Sequence, residues 1–303
     1  MEMAWGPQAA LYLFLGGTGA ALFLVSQVLL FRSPRRFRLT VWISAVVAWL
    51  MVLLGLVLLT SELLSPARAF LLFLSFSNPS SWMARGAWIM SGALVVFGLV
   101  AVLAWPGLGI AFARRSKWFN EHGMGLRRAV GAVGAGIALV AMTYTGLLLF
   151  DAKGVSAWDA PALPLLFVVS SLEGGLSLFE IIVFLLRRRE VVGVFAKRLL
   201  IGLSLLLPLV EAMLLAWWLW DAEVAPGSGA VGLLFWGAVV AVGIVVPVAA
   251  NGAAVIGGKR LSQQMTLVCA VAVLIGCIAL RFVVLGVGVH GDPVAAAIAP
   301  LLL

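Results

Sequence analysis

Two histidines, two cysteines and two tyrosines among 303 residues leave little room for several kinds of chemistry. A membrane haem held by histidines needs a pair of them on facing helices. His122 falls in a charged loop and His290 beyond the last apolar run, so the two cannot meet at a buried haem, and a b-type haem protein is excluded. Cys269 and Cys277 stand eight residues apart in one apolar segment. At helical rise that is ~12 Å, too far for a disulfide and without metal-ligand spacing, so both are read as core packing. No P-loop, dinucleotide fingerprint, Ser–His–Asp set or metal-ligand cluster occurs in the sequence. If the protein handles electrons, they reach it from another subunit's cofactor and stop at a small molecule near that boundary.

Charge is scarce too. Only 11% of residues are charged while 64% are hydrophobic, with a mean hydropathy of +1.17. The surface of a soluble domain of this length needs more charge than that, so this is an integral membrane protein. The first apolar segment has no basic region before it and no small-residue cleavage site, and reads as a membrane span and not a removable signal. About 20 apolar residues are needed to cross the hydrocarbon. Eight segments qualify: 8–31, 39–61, 84–105, 127–149, 163–186, 198–220, 230–254 and 265–288. The expected fold is all-α, a single membrane domain over residues 1–303 with eight transmembrane helices in two four-helix bundles. The stretch 66–76 (PARAFLLFLSF) is too short to span and is expected as a half-helix on the membrane surface.

The basic residues set the orientation. Sixteen of the twenty lie on alternate loops, in "RSPRRFR", around Arg114 to Arg128, in "RRREVVGVFAKR" and at Lys259 and Arg260. The opposite loops hold only Arg68, Arg85 and Lys153, against seven acids. By the positive-inside rule both termini face outward. The pI near 10.5 therefore records topology and does not point to nucleic acid.

Against this background the polar residues inside the spans stand out. "SSLEGGLSLFEIIVFLLRRR" (170–189) carries Glu173 and Glu180 in lipid-like sequence. An ionised carboxylate in hydrocarbon costs several kcal/mol and is kept only with a partner or a use. On a helix Ser170, Glu173, Ser177 and Glu180 fall within a wedge of about 80°, one polar stripe. Glu173 lies ~13 Å and Glu180 ~24 Å from the outer end, so the stripe points toward the basic inner loop. One reading is a proton relay; the other is a protonated Glu that locks helix packing through a hydrogen bond. Glu211 adds a third acid in span six, three residues after Pro208. Arg281, in "CIALRFVVLGVG", is the basic residue clearly inside a span, and Glu211 and Glu173 are its candidate partners at similar depth.

Both tyrosines lie near outer ends. Tyr12 is read as ordinary interface chemistry, whereas Tyr144, between two threonines in "AMTYTGLLLFD", is placed to donate inward. "YLFLGGTGAALFL" gives the first span a small-residue face that lets a helix or a flat ligand come close. The first and fifth spans both run through such a patch into an arginine-rich loop, and four spans per half makes a parallel repeat the consistent symmetry.

Four stretches in order, "ALYLFLGGTGAALFL" (10–24), "SNPSSWMARGAWIM" (77–90), "TYTGLLL" (143–149) and "LRFVVLGVG" (280–288), make the sequence resemble the NrfD/polysulfide-reductase membrane subunits, relatives of the DMSO-reductase anchor subunits. The resemblance covers essentially the whole length. It implies a haem-free, quinone-reactive subunit in the bacterial cytoplasmic (inner) membrane, using menaquinone or ubiquinone near the outer face. It implies two partners: a ferredoxin-like iron–sulfur subunit with four clusters, and a molybdopterin catalytic subunit carrying molybdenum or tungsten. By motif match Tyr144 corresponds to a tyrosine of the family's quinone pocket. Members also use a first-helix polar pair that includes a histidine; here that span offers Thr18 and no histidine, which shifts the proton-accepting role toward Glu173 or Glu211. Trp82 and Arg85 of "SWMARGAW" are expected to line the pocket or the partner interface. Two other readings remain: a secondary transporter built on intramembrane carboxylates, and a pure membrane anchor without a quinone site.

Overall fold

The computed structural model describes residues 5–32, 37–62, 82–107, 117–152, 155–190, 194–224, 229–257 and 261–288. Among the described residues, eight helices are long and apolar enough to cross a membrane. They are α1 (Pro7–Arg32), α2 (Arg38–Glu62), α3 (Trp82–Ala104), α4 (Lys117–Phe150), α5 (Ala162–Leu186), α6 (Val194–Asp221), α7 (Ala230–Ile256) and α8 (Gln263–Val287). A short 3-10 turn, Ser156–Trp158, joins α4 to α5. No strand occurs among the described residues. The proposed surface half-helix 66–76, the C-terminal tail and several of the loop arginines lie outside the described residues.

These segments are helical because a backbone in hydrocarbon must satisfy its own hydrogen bonds. Their arrangement follows residue size. In the most apolar stretch of α1, 78% of residues are buried; in α6 only 17% are, so α1 is the central post and α6 a lipid-facing wall. α1 packs on α2, α4, α5 and α8, while α3 bridges α2 and α4. On the other side α5 packs on α6 and α8, and α7 closes against α8 and α6. The α1–α5 seam joins the two sets through small residues. A Cβ added to Gly175 would sit 2.5 Å from the backbone nitrogen of Leu22, and one added to Gly174 would sit 2.8 Å from Thr18 Oγ1. Glycine is required there because the two backbones nearly touch.

Two elements differ from the expected spans. α4 begins at Lys117, ten residues before the expected 127, and its 34 residues make a rod of about 51 Å. The charged stretch "KWFNEHGMGLRR" is kept out of the membrane by its charge, but that charge does not oppose helix, so the turns continue past the bilayer. α7 is interrupted by a π-helical run, Leu234–Val245, before Pro247 restores α geometry. Wide π turns are rare and need packing support. Here Gly243 lies against Gly276 of α8, where a Cβ on either would come within 2.7 Å of the other's Cα. α6 runs straight through Pro208 as one helix.

At the arginine-rich end, the carboxylate of Glu190 accepts from the backbone N–H of Leu39 (2.7 Å) and of Thr40 (3.0 Å) and from Thr40 Oγ1 (2.5 Å). The first turn of α2 is thus capped by a residue 150 positions away, which ties the start of α2 to the end of α5.

Candidate functional site

Two polar regions are built into the helices. The first lies where the acidic ends of α1, α3 and α4 converge. Tyr144, on the last turns of α4, is buried and packs its phenol onto Gly86 of α3, whose missing side chain makes the space. Tyr12 of α1 is its neighbour, 1% exposed, and its hydroxyl lies beside the Tyr144 phenol without a well-formed hydrogen bond. Met90 and Gly16 complete the surround. Trp82 and Arg85 sit on the first turn of α3, one turn from Gly86, with the guanidinium 4.7 Å from the Trp82 ring centroid. Trp82 is half-buried and Arg85 exposed. Thr18 is fully buried, but it faces α5 and lies against Gly174, with its own hydroxyl unpartnered. The structure therefore pairs Tyr144 with Tyr12 and turns Thr18 toward Gly174 of α5. Tyr12 is the residue that sequence reasoning undervalued: its position five residues into α1 looks like an interface anchor, and only the packing of neighbouring helices, Gly55 of α2 and Tyr144 of α4 among them, buries it.

The second region lies among α5, α6 and α8. Arg281 is completely buried. Its Nη1 donates to Ser170 Oγ (2.6 Å), and its Nη2 to Ser171 Oγ (3.0 Å) and the Phe167 carbonyl (3.2 Å); the guanidinium also stacks 4.5 Å from the Phe167 ring centroid. The guanidinium's hydrogen bonds thus go to two hydroxyls and a carbonyl, and its stacking to a ring, all from α5. Glu173 and Glu211 lie beside this guanidinium and beside each other, near enough to act on it as charges. Arg281 Nε has no hydrogen-bond partner, and the Glu173 and Glu211 carboxyls lie against each other, with no other group bonded to either Glu173 oxygen or to Glu211 Oε1. Cys277 is part of the same cluster and donates to the Ser170 carbonyl (3.2 Å), which is packing chemistry of the kind expected for it.

Below this cluster a cavity of about 380 Å³ runs between α5, α6, α7 and α8. Glu173, Ser177 and Glu180 form one wall, and Ser204, Asn251 and Thr266 supply polar groups opposite. Ser204 Oγ donates to Glu180 Oε1 at 2.7 Å. The cavity reaches Arg187, Leu261 and Gln263 at the arginine-rich end. On the other side of Arg281 two buried tryptophans close the bundle. Trp158, on the 3-10 turn, donates to the Val284 carbonyl (2.8 Å), and Trp218 donates to the Ala157 carbonyl (2.9 Å). His122 lies on the projecting part of α4, exposed and stacked on Trp118. Among the described residues no three of His, Cys, Asp and Glu come together as metal ligands.

Eight membrane-crossing helices, a buried pair of phenols at one end and a buried carboxylate cluster in the second half define a multi-pass, all-helical membrane protein with polar chemistry inside the bilayer. The family profile of Polysulphide reductase, NrfD matches residues 1–290, and the protein belongs to that family. It is similar to the C subunit of the polysulfide reductase of Wolinella succinogenes, with 28% identity over 313 aligned positions that cover 94% of each protein.

Proposed function

We propose that the protein is the haem-free, quinone-reactive membrane subunit of a respiratory oxidoreductase in the bacterial inner membrane. It exchanges electrons between the nearest cluster of a four-cluster iron–sulfur partner and menaquinone or ubiquinone, and the molybdopterin catalytic subunit completes the complex. Support comes from family membership, from the relative's name as one component of a polysulfide reductase, and above all from one observation: two buried phenols, Tyr12 and Tyr144, meet at one end of the bundle, and the Tyr12 hydroxyl makes no well-formed hydrogen bond there. A buried donor without a well-formed hydrogen bond is costly, and a quinone carbonyl is an acceptor of the kind missing. The residues present fit such a head group. Bound quinone supplies the redox step, which takes two electrons and two protons.

The protein's own part is to bind, orient and handle protons. Tyr12 and Tyr144 donate to a carbonyl and hold the ring toward α3. Trp82 and Arg85 stand at the mouth on the outer side, where the partner docks. Thr18, with a free hydroxyl between the phenols and Glu173, extends the polar track inward. Glu173, Ser177, Glu180 and Ser204 continue it along the cavity to the arginine-rich inner face, so that protons cross the membrane with turnover, while Glu211 and Arg281 hold charge balance at the centre. Tyr144→Phe in an assembled complex is expected to lower quinol-dependent electron transfer several-fold. A silent Tyr144→Phe together with no bound quinone would favour a pure anchor. The cavity, with carboxylates along one wall and reaching the arginine-rich end, also fits a transporter reading, which requires solute movement by the isolated protein.

A further inference from the structure

The cluster of Arg281, Glu173 and Glu211 has three ionisable side chains, almost no exposure and incomplete hydrogen bonding. Their exposures are 0%, 3% and 4%. Arginine stays charged in proteins, so one positive charge is fixed at this point. Its hydrogen bonds spread over Ser170, Ser171 and the Phe167 carbonyl, and none of those groups carries a compensating charge. Among the groups facing the cluster, α5 supplies Glu173, with Glu180 seven residues further along, α6 supplies Glu211, and α8 supplies Cys277 besides Arg281. From α1, Thr18 lies against Gly174, the residue after Glu173. Two ionised carboxylates would leave the site with a net negative charge, and two protonated ones with a net positive charge. Either is expensive for groups this deeply buried. One carboxylate balances one guanidinium.

We propose that Arg281, Glu173 and Glu211 form a single-proton site at the middle of the membrane: one proton is shared between the two carboxyls, and the cavity along α5 loads it from the arginine-rich face. The geometry also says why the occupant is a proton and not a metal cation. The oxygens of Ser170, Ser171 and Phe167 already accept from Arg281, so few neutral oxygens remain for coordination, and the guanidinium repels a second cation. Glu173 lines the cavity and Glu211 does not, so Glu173 is the entry carboxyl and Glu211 the inner one. On the far side the Trp158 and Trp218 hydrogen bonds tie the 3-10 turn to α8 and α6. The site adds a stoichiometry to the proton route proposed above, but it stands on burial and charge and does not need that route.

The test counts protons without turnover. The complex in lipid nanodiscs, in a Glu180→Gln background that removes the nearby third carboxyl, is studied by infrared spectroscopy in H₂O and D₂O at neutral pH. The expected result is one carboxylic-acid C=O band that shifts in D₂O. Glu173→Gln alone and Glu211→Gln alone should each abolish it, because the remaining carboxylate then balances Arg281. Arg281→Gln should double it. If Arg281→Gln does not fold, the two glutamine variants decide. No band in the parent, or a band that survives in either glutamine variant, overturns the proposal. The expected pattern with unchanged proton stoichiometry during quinol turnover would leave this site standing and remove the transmembrane route.

Discussion

Replacing Tyr12 by Phe should push stability and function in opposite directions. The Tyr12 hydroxyl is buried in a side chain 1% exposed and makes no well-formed hydrogen bond, although Tyr144 lies beside it. Leaving such a donor unsatisfied costs ~1–3 kcal/mol, and Phe removes the oxygen while keeping the ring that packs against Gly16 and Gly55. The quinone-free subunit should therefore gain about 1 kcal/mol in thermal or denaturant unfolding. In the quinone-reactive complex the same change deletes a donor. The net loss for one hydrogen bond is ~0.5–1.5 kcal/mol, which corresponds to roughly 2- to 12-fold weaker quinone affinity. The assay pairs unfolding of quinone-depleted protein with quinol titration of the assembled complex. A variant that is less stable than its parent, or one with unaltered quinol response, would refute the assignment. The first outcome would mean that the hydroxyl has a partner already, and the second that it has no ligand to serve.

Three further perturbations follow from the packing. Glu180→Gln keeps the hydrogen bond from Ser204 but cannot carry a proton, so charge movement should fall or turnover slow with assembly intact; normal turnover with unchanged proton stoichiometry would count against the transmembrane route. Gly175→Ala places a methyl group 2.5 Å from Leu22 N and Ala21 Cβ and should cost ~1–3 kcal/mol in unfolding experiments, whereas Gly92→Ala, with nothing within 4 Å, should be neutral or slightly stabilising. Glu190→Ala strips the cap from α2 and should cost ~0.5–2 kcal/mol, read as faster amide exchange at Leu39 and Thr40, with Glu190→Gln recovering part of the loss.

Much of the architecture is written in residue type alone. Apolar runs of helix length must become helices in lipid, so all eight appear, and the polar face of 170–180 appears as one wall of a cavity because helical periodicity alone sets it. What the sequence leaves hidden depends on how helices cross. Nothing local says that Tyr12 meets Tyr144, or that Thr18 turns toward Gly174 instead; the α1–α4 and α1–α5 seams decide both. Arg281 was expected to take a carboxylate, but the close approach of α8 to α5 puts two serines and a carbonyl within reach first. The π turns of α7 answer to a glycine contact with α8 that no window along α7 can reveal. The cap on α2 joins Glu190 to Leu39 across 151 positions, a separation beyond any local motif.

The central claim, that this subunit passes electrons between an iron–sulfur partner and a quinone held by Tyr12 and Tyr144, is tested most directly by composition. The tagged protein, purified mildly from its own membranes, should carry a cysteine-rich partner, iron and extractable quinone, and the quinone should fall sharply in the Tyr12→Phe, Tyr144→Phe double variant while iron and partner remain. A lone, iron-free protein without quinone that moves a solute across vesicles would contradict the account.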